Sequence, residues 1–277
     1  MGVLDGYAAL VTGGGSGIGL GCAVALAADG AAVTLAGRSE ERLAAGAKTV
    51  EAARPGAVVQ TISTDVTDED QVAAAVALAS GPTGRLDGVV ASAGGSETIG
   101  PITHTDVGAW RRTLDLNLTG TMLTIKHAGQ VMARQGAGSI VAISSIAGAV
   151  SHRWFGAYGP AKAGIDMLCR MAADELGASG VRVNSVQPGL TRTELATFLH
   201  STEAVLADYI AQMPLARMGE PEDVAGAVRF LLGPESGWVT GQVIAVDGGH
   251  TVRRGPDLSP VLEGLFGADG LRGIVER

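Results

Sequence analysis

The chain has 277 residues, 46% of them hydrophobic, enough to bury one substantial core, and no linker-like stretch divides it. Its formal net charge is -8, so there is no chain-wide cationic field for a phosphate backbone, and nucleic-acid binding is not expected. No apolar run approaches the roughly 20 residues of a membrane-spanning helix, and the N-terminus lacks a secretory pattern, which predicts a cytoplasmic protein with no membrane partner.

The five histidines show no paired helical spacing and no cysteine neighbours, so no metal site is expected. Cys22 and Cys169 fall in apolar helical patterns and read as small buried hydrophobes. Lysine occurs only at Lys48, Lys126 and Lys162.

β-Branched apolar runs alternate with longer helical patterns from the start to about residue 248, the pattern of an α/β domain with a doubly wound parallel sheet. The first predicted strand, 8–12, runs into Thr12-Gly13-Gly14-Gly15-Ser16-Gly17-Ile18-Gly19 and a helix over 18–29. Glycine allows close approach of a pyrophosphate, and the helix start offers free amide donors, so Gly13, Gly15, Ser16, Gly17, Ile18 and Gly19 are candidate dinucleotide-binding residues. The second strand, 33–36, ends at Gly37-Arg38, where a dinucleotide fold reads the adenosine ribose. Gly37 occupies the usual acid position, and the Arg38 guanidinium suits a 2′-phosphate, so NADP(H) is expected ahead of NAD(H). The competing reading makes Arg38 a solvated arginine at the start of the helix over 40–53.

After the third strand, 58–62, come Asp65 and Val66, counted with the cofactor residues. Asp65 either accepts from the adenine amino group or caps the helix that begins near Asp68. Ala91-Ser92-Ala93-Gly94 closes the fourth strand, 88–92, and its small residues, Ala93 and Gly94 among them, let backbone lie against a cofactor. One long helix is predicted over 110–134. Asn117 sits in its middle, where asparagine is intrinsically disfavoured, so a role for its amide and an ordinary structural role both stand.

Ser144 and Ser145 end the fifth strand, 139–144, at the carboxyl edge where ligands of open parallel sheets bind. Either hydroxyl suits a carbonyl oxygen. The next helix, 157–178, carries Tyr158 and Lys162 four residues apart, about 40° around the axis and about 6 Å along it. A tyrosine with its pKa near ~10 needs its anion stabilised to exchange protons at neutral pH, and a nearby ammonium is expected to lower that pKa. Pro188, Gly189, Thr191 and Thr193 follow the sixth strand, 181–186; a helix over 222–232 and a last strand, 243–246, complete the pattern. Residues 1–250 form the predicted domain, with a mobile cover over about 191–218 and a tail over 251–277.

Together these residues resemble the short-chain dehydrogenase/reductase family over about residues 5–250. Thr12 to Gly19 resembles its Gly-rich signature, Asp65 its adenine-side acid, Asn117 its helix asparagine, and Tyr158 with Lys162 its Tyr-x-x-x-Lys pair. The family serine lies thirteen residues before the tyrosine, which selects Ser145. Pro188-Gly189 with Thr191 and Thr193 resembles the segment against the nicotinamide carboxamide. Where the family usually has Asn-Asn-Ala-Gly, this chain has Ala91-Ser92-Ala93-Gly94.

The resemblance implies a seven-stranded Rossmann-like sheet and hydride transfer between a nicotinamide and a carbonyl or secondary alcohol. Tyr158 is implied as the proton donor and acceptor, Ser145 as the group on the substrate oxygen, Lys162 on the nicotinamide ribose, and Asn117 as the holder of a relay water. Enoyl-reducing relatives space Tyr and Lys more widely. A non-catalytic NAD(P)-sensing protein is the alternative, against which the complete Asn117, Ser145, Tyr158, Lys162 set argues. Trp154, Phe155, Leu195, Phe198, Leu199 and Met213 predict an apolar substrate pocket, suited to 3-oxoacyl, steroid, terpenoid or quinone-like compounds. The family also implies a homotetramer built on the two long middle helices and the last strand.

Overall fold

The computed structural model describes residues 2–81, 85–253, 255 and 257–275. Its elements run β1 (Ala8–Thr12), α1 (Gly17–Ala28), β2 (Ala32–Gly37), α2 (Glu40–Ala53), β3 (Val59–Ser63), α3 (Glu69–Ser80), β4 (Gly88–Ala91), α4 (Val107–Leu114), α5 (Gly120–Gln135), β5 (Gly138–Ile143), α6 (Tyr158–Gly177), β6 (Val181–Pro188), α7 (Thr197–His200), α8 (Glu203–Gln212), α9 (Pro221–Leu232), β7 (Val243–Val246) and α10 (Ser259–Leu271). The strands form one parallel sheet in the order β3-β2-β1-β4-β5-β6-β7. The order reverses direction between β1 and β4, and the carboxyl ends of those two strands therefore open the crevice where such sheets bind ligands.

The central strands are apolar throughout because helices cover both faces. One core packs α1 and α9 on the sheet through Leu26, Val11, Val33 and Leu231. The other packs α3, α5 and α6 on the opposite face through Val76, Met132, Ile140 and Ile165. Helix starts follow local chemistry. Ser39 caps α2 by accepting from the Arg42 N–H, Asp68 caps α3, and α9 has a reciprocal Glu220–Asp223 capping box with Pro221 in the first turn. No described helix is long and apolar enough to cross a membrane.

The single helix predicted over 110–134 is divided. A π turn, Asp115–Thr119, separates α4 from α5, and Asn117 lies inside it. Directly after this turn the chain runs so close to the loop following β3 that a Cβ on Gly120 would lie 2.6 Å from Val66 Cγ2. The hydrophobic stripe of the sequence continues across this insertion, which is why periodicity alone misses it.

The cover predicted over 191–218 forms a short helical excursion carrying α7 and α8. Its two ends are joined: the Arg192 N–H donates to the Gly219 carbonyl at 2.8 Å, and the Gly219 N–H to that of Leu190 at 2.9 Å. The tail folds onto this excursion as α10. Leu258 and Leu262 are buried there with Val205, Tyr209 and Met213 in a small third core.

Candidate active site

The carboxyl ends of β1, β4, β5 and β6 surround a cleft of about 810 Å³, closed from above by the excursion. Tyr158 opens α6, so its side chain leaves the first turn facing the end of β5. Its hydroxyl hydrogen-bonds Ser145, whose Oγ also accepts from the Ala147 N–H at 3.1 Å. The two serines at the end of β5 thus separate: Ser145 engages the tyrosine, whereas the buried Ser144 donates to the Lys162 carbonyl at 2.9 Å and anchors α6.

One turn along, Lys162 is buried with its Nζ 5.4 Å from the Tyr158 ring centroid, donating to the Ile143 carbonyl at 2.9 Å. Burial lowers the Lys162 pKa to about 8 against the opposing pull of Asp166. The Tyr158 pKa moves the other way from the expectation of an ammonium-lowered phenol. Burial raises it, and the Ser145 hydrogen bond only partly offsets this. The physical reason is placement: Lys162 aims its charge at a backbone carbonyl, beside the ring, and the phenol lies in a desolvated niche.

This geometry has counterparts of known sequence. A family model described as Enoyl-(Acyl carrier protein) reductase matches residues 13–251. The chain is 43% identical to cis-4-hydroxycyclohexanecarboxylate dehydrogenase of Sinomonas cyclohexanicum over 88% of this chain and 96% of that protein. It is 36% identical to a 3-oxoacyl-[acyl-carrier-protein] reductase of Synechocystis over 90% and 98%. A solved short-chain type dehydrogenase/reductase from Mycobacterium ulcerans shares 52% identity and superposes with a TM-score of 0.95, covering 98% of this chain and 99% of that one. The chain belongs to the short-chain dehydrogenase/reductase family. It is an oxidoreductase that uses a nicotinamide cofactor and interconverts alcohols and carbonyls.

The Gly-rich turn of this dehydrogenase is shaped by what a side chain would strike. A Cβ on Gly19 would lie 2.3 Å from the Gly13 carbonyl oxygen, and one on Gly13, whose φ is +64°, 2.9 Å from the Ala93 nitrogen. Gly13, Ser16, Gly17, Ile18 and Gly19 line the cleft, whereas Gly15 packs on Arg42 of α2 beneath it. Across the cleft stand Ala93, Gly94, Pro188, Gly189, Thr191 and Thr193. The Thr12 hydroxyl accepts from the N–H groups of Ser92 (3.1 Å) and Ala93 (3.3 Å), so the departure at residues 91–94 keeps its loop fixed to β1. This glycine-lined cradle ending at a helix N-terminus fits a dinucleotide.

Arg38 borders the cleft, and so does Arg42, which no motif in the sequence singles out. Arg42 Nη2 pairs with Glu194 Oε1 at 3.0 Å, linking α2 to the excursion. Both partners are mostly exposed, so the link is worth about 1 kcal/mol or less. The one sequence signal for Arg42 is its four-residue spacing from Arg38.

Asn117 does not line the cleft. Its Nδ2 donates to the carbonyls of Gly95 (2.6 Å) and Thr113 (2.8 Å), and its Oδ1 accepts from the Gly95 N–H (3.3 Å). Both amide protons are engaged, so the side chain has none for a relay water; it fixes the Gly94–Gly95 loop instead. A Cβ on Gly94 would meet Asn117 Oδ1 at 2.8 Å and Lys162 Nζ at 3.3 Å, which explains glycine there. Asp65 and Val66 also lie away from the cleft lining. The Asp65 carboxylate accepts from the Thr67 N–H and hydroxyl at 2.9 and 2.8 Å, bonds that hold its pKa down, while Asp68 is the helix cap. Val66 is buried with Val72 and Leu123.

At the far end, Phe155, Leu195, Phe198 and Leu199 line the cleft as expected, together with Ile99 and Ile146. Trp154 and Met213 instead pack in the third core. Ser96, Thr98, His152 and Tyr209, not predicted, add polar atoms to this end. No periodicity or motif marks them, because they come from two loops and α8. Cys22 and Cys169 are buried thiols whose pKa burial pushes up to about 12.

Proposed function

We propose that this dehydrogenase uses NADP(H) and acts on a secondary alcohol, or its ketone, carried on a six-membered ring. The observation that supports the reaction assignment is the Ser145–Tyr158 hydrogen bond beside buried Lys162 at the mouth of an apolar compartment. When bound, the nicotinamide supplies hydride to the carbonyl carbon or takes it from the carbinol carbon. In the reducing direction Tyr158 donates its proton to the substrate oxygen, and Ser145 donates a hydrogen bond to the same oxygen. Lys162 places positive charge beside the phenolate that results, and the Ile143 carbonyl holds its head there. Gly13, Ser16, Gly17, Ile18 and Gly19 would hold the pyrophosphate side, with Pro188, Gly189, Thr191 and Thr193 toward the carboxamide.

The ring preference draws on the apolar walls and on relatives named for such compounds: the Sinomonas cis-4- and trans-4-hydroxycyclohexanecarboxylate dehydrogenases and a Sphingobium 2,5-dichloro-2,5-cyclohexadiene-1,4-diol dehydrogenase. A tetramer through α5, α6 and β7 is part of the reading, supported by the exposed Met122, Met167 and Met171 and by Trp238, fully exposed just before β7.

Spectrophotometric assay with cyclohexanone and NADPH is expected to show ketone-dependent oxidation at neutral pH, where the raised phenol is protonated. Oxidation of cyclohexanol needs the phenolate, and its rate is expected to climb with alkaline pH. No turnover of any ketone with either cofactor would leave a non-catalytic binding protein. For the cofactor, Arg38→Ala is expected to weaken NADPH binding about tenfold, the worth of one charge-assisted contact, with NADH binding little changed. Fluorescence titration with both cofactors checks this, and an equal change for the two would remove Arg38 as the phosphate reader.

A further inference from the structure

We infer that His152 and Tyr209 form a second polar subsite in the cleft, which takes a hydroxyl carried across the substrate ring from the reacting carbon. Neutral hydroxyketones and diols are then the preferred substrates. The inference rests on the carbonyl-reductase reading of the same cleft.

Both side chains line the cleft, their ring centroids 6.3 Å apart. The His152 Nδ1 lies 2.8 Å from the Val150 carbonyl oxygen. A carbonyl has no proton to give, so Nδ1 carries the hydrogen and Nε2 of the neutral ring is an acceptor. Burial and nearby His250 both favour that neutral form. Among the described residues, neither His152 Nε2 nor the Tyr209 hydroxyl takes a hydrogen-bond partner, and neither atom is enclosed. An acceptor beside a hydroxyl is the complement of an alcohol, which donates to the imidazole and accepts from the phenol.

The placement sets the substrate's shape. The Phe155 ring contacts His152 on one side, at 5.1 Å between centroids, and Tyr158 on the other, at 6.2 Å. Phe155 thus links the polar pair to the reacting phenol along one side of the cleft, an arrangement that favours a compact ring carrying one oxygen toward each. The subsite is also rigid: His250 packs against both rings at 5.9 and 5.5 Å, and a Cβ on Gly255 of the tail would lie 2.4 Å from the Ser151 carbonyl oxygen. Its described residues offer a carboxylate no cation. Among the described residues, the cations lining the cleft are Arg38 and Arg42 at the Gly-rich end and Lys162 beside Tyr158, and the Glu97 carboxylate is paired with Arg112 at 2.6 Å.

Initial rates with NADPH on cyclohexanone, 4-hydroxycyclohexanone and 4-oxocyclohexanecarboxylate test the inference. The expected kcat/KM for the hydroxyketone is about tenfold above that for cyclohexanone, with the carboxylate below both. In Tyr209→Phe and His152→Leu the hydroxyketone-to-ketone ratio is expected to fall to about one; being a ratio, it cancels general damage to the enzyme. A ratio near one in the unmodified enzyme, or one that survives both substitutions, overturns the subsite. If no ketone turns over, the reaction reading fails, and saturation-transfer NMR of 4-hydroxycyclohexanone still decides the subsite. A transfer signal that vanishes in Tyr209→Phe supports it, and an equal signal from both proteins sinks it.

Discussion

Tyr158→Phe is expected to lower kcat by about a thousandfold or more, the scale of a lost general acid, and to leave cofactor affinity within a factor of about three. The substitution removes one oxygen and no ring atom. The aromatic face that meets Phe155 at 6.2 Å and Lys162 at 5.4 Å persists, so no cavity opens and α6 keeps its first turn. Ser145 loses its tyrosine partner but keeps the Ala147 N–H, which holds its hydroxyl at the end of β5. What disappears is the one proton that the site presents to the substrate oxygen from a group raised in pKa and therefore protonated at neutral pH. Ketone-dependent NADPH oxidation, fluorescence titration of NADPH and a melting curve separate these effects. A variant that turns over within about tenfold of the parent would move the proton donor elsewhere.

The parallel α/β sheet was legible because strands covered on both faces must be apolar along their length, and residues 8–12, 88–92 and 139–144 show it plainly. The reacting groups were legible because they lie on two short segments with fixed spacings, Ser145 to Tyr158 and Tyr158 to Lys162. Direction of charge was not. Whether Lys162 lowers the phenol's pKa depends on where its head points, and that the Ile143 carbonyl at the end of β5 receives it is a matter of packing that no spacing encodes. The same holds for Asn117: its mid-helix position signalled an unusual role, but only the fold shows its amide bridging Gly95 and Thr113 across a π turn. Asp65 had two readings on sequence; the helix cap went to Asp68, and Thr67 donates to one oxygen of the Asp65 carboxylate. His152 and Tyr209 were invisible because their meeting depends on how the excursion and the tail fold back over the sheet.

Lys162→Met is expected to cost at least a hundredfold in kcat, the effect of removing the positive charge beside the phenolate, and yet to stabilise the fold at pH 7. Burial brings the lysine pKa from 10.5 down to about 8. Below about pH 8 the folded and unfolded chains both hold the proton, and burial of the ammonium opposes folding by roughly 3 kcal/mol. Between about 8 and 10.5 the unfolded chain keeps a proton that the folded chain has released, so this contribution to stability rises with pH across that window. Methionine fills a similar volume without charge, but it leaves the Ile143 carbonyl without its donor, a loss of about 1 to 2 kcal/mol. The balance favours the variant by about 1 to 2 kcal/mol at pH 7, and the gap should close and reverse toward pH 10.5. Urea denaturation of both proteins across that range reads the difference directly. The buried thiols of Cys22 and Cys169, pushed up to about 12, act in the opposite sense above pH 9, but they are common to both proteins and cancel. Parallel stability curves, or a variant less stable at pH 7, would mean that burial costs the ammonium little and that Lys162 keeps its ordinary pKa in the fold.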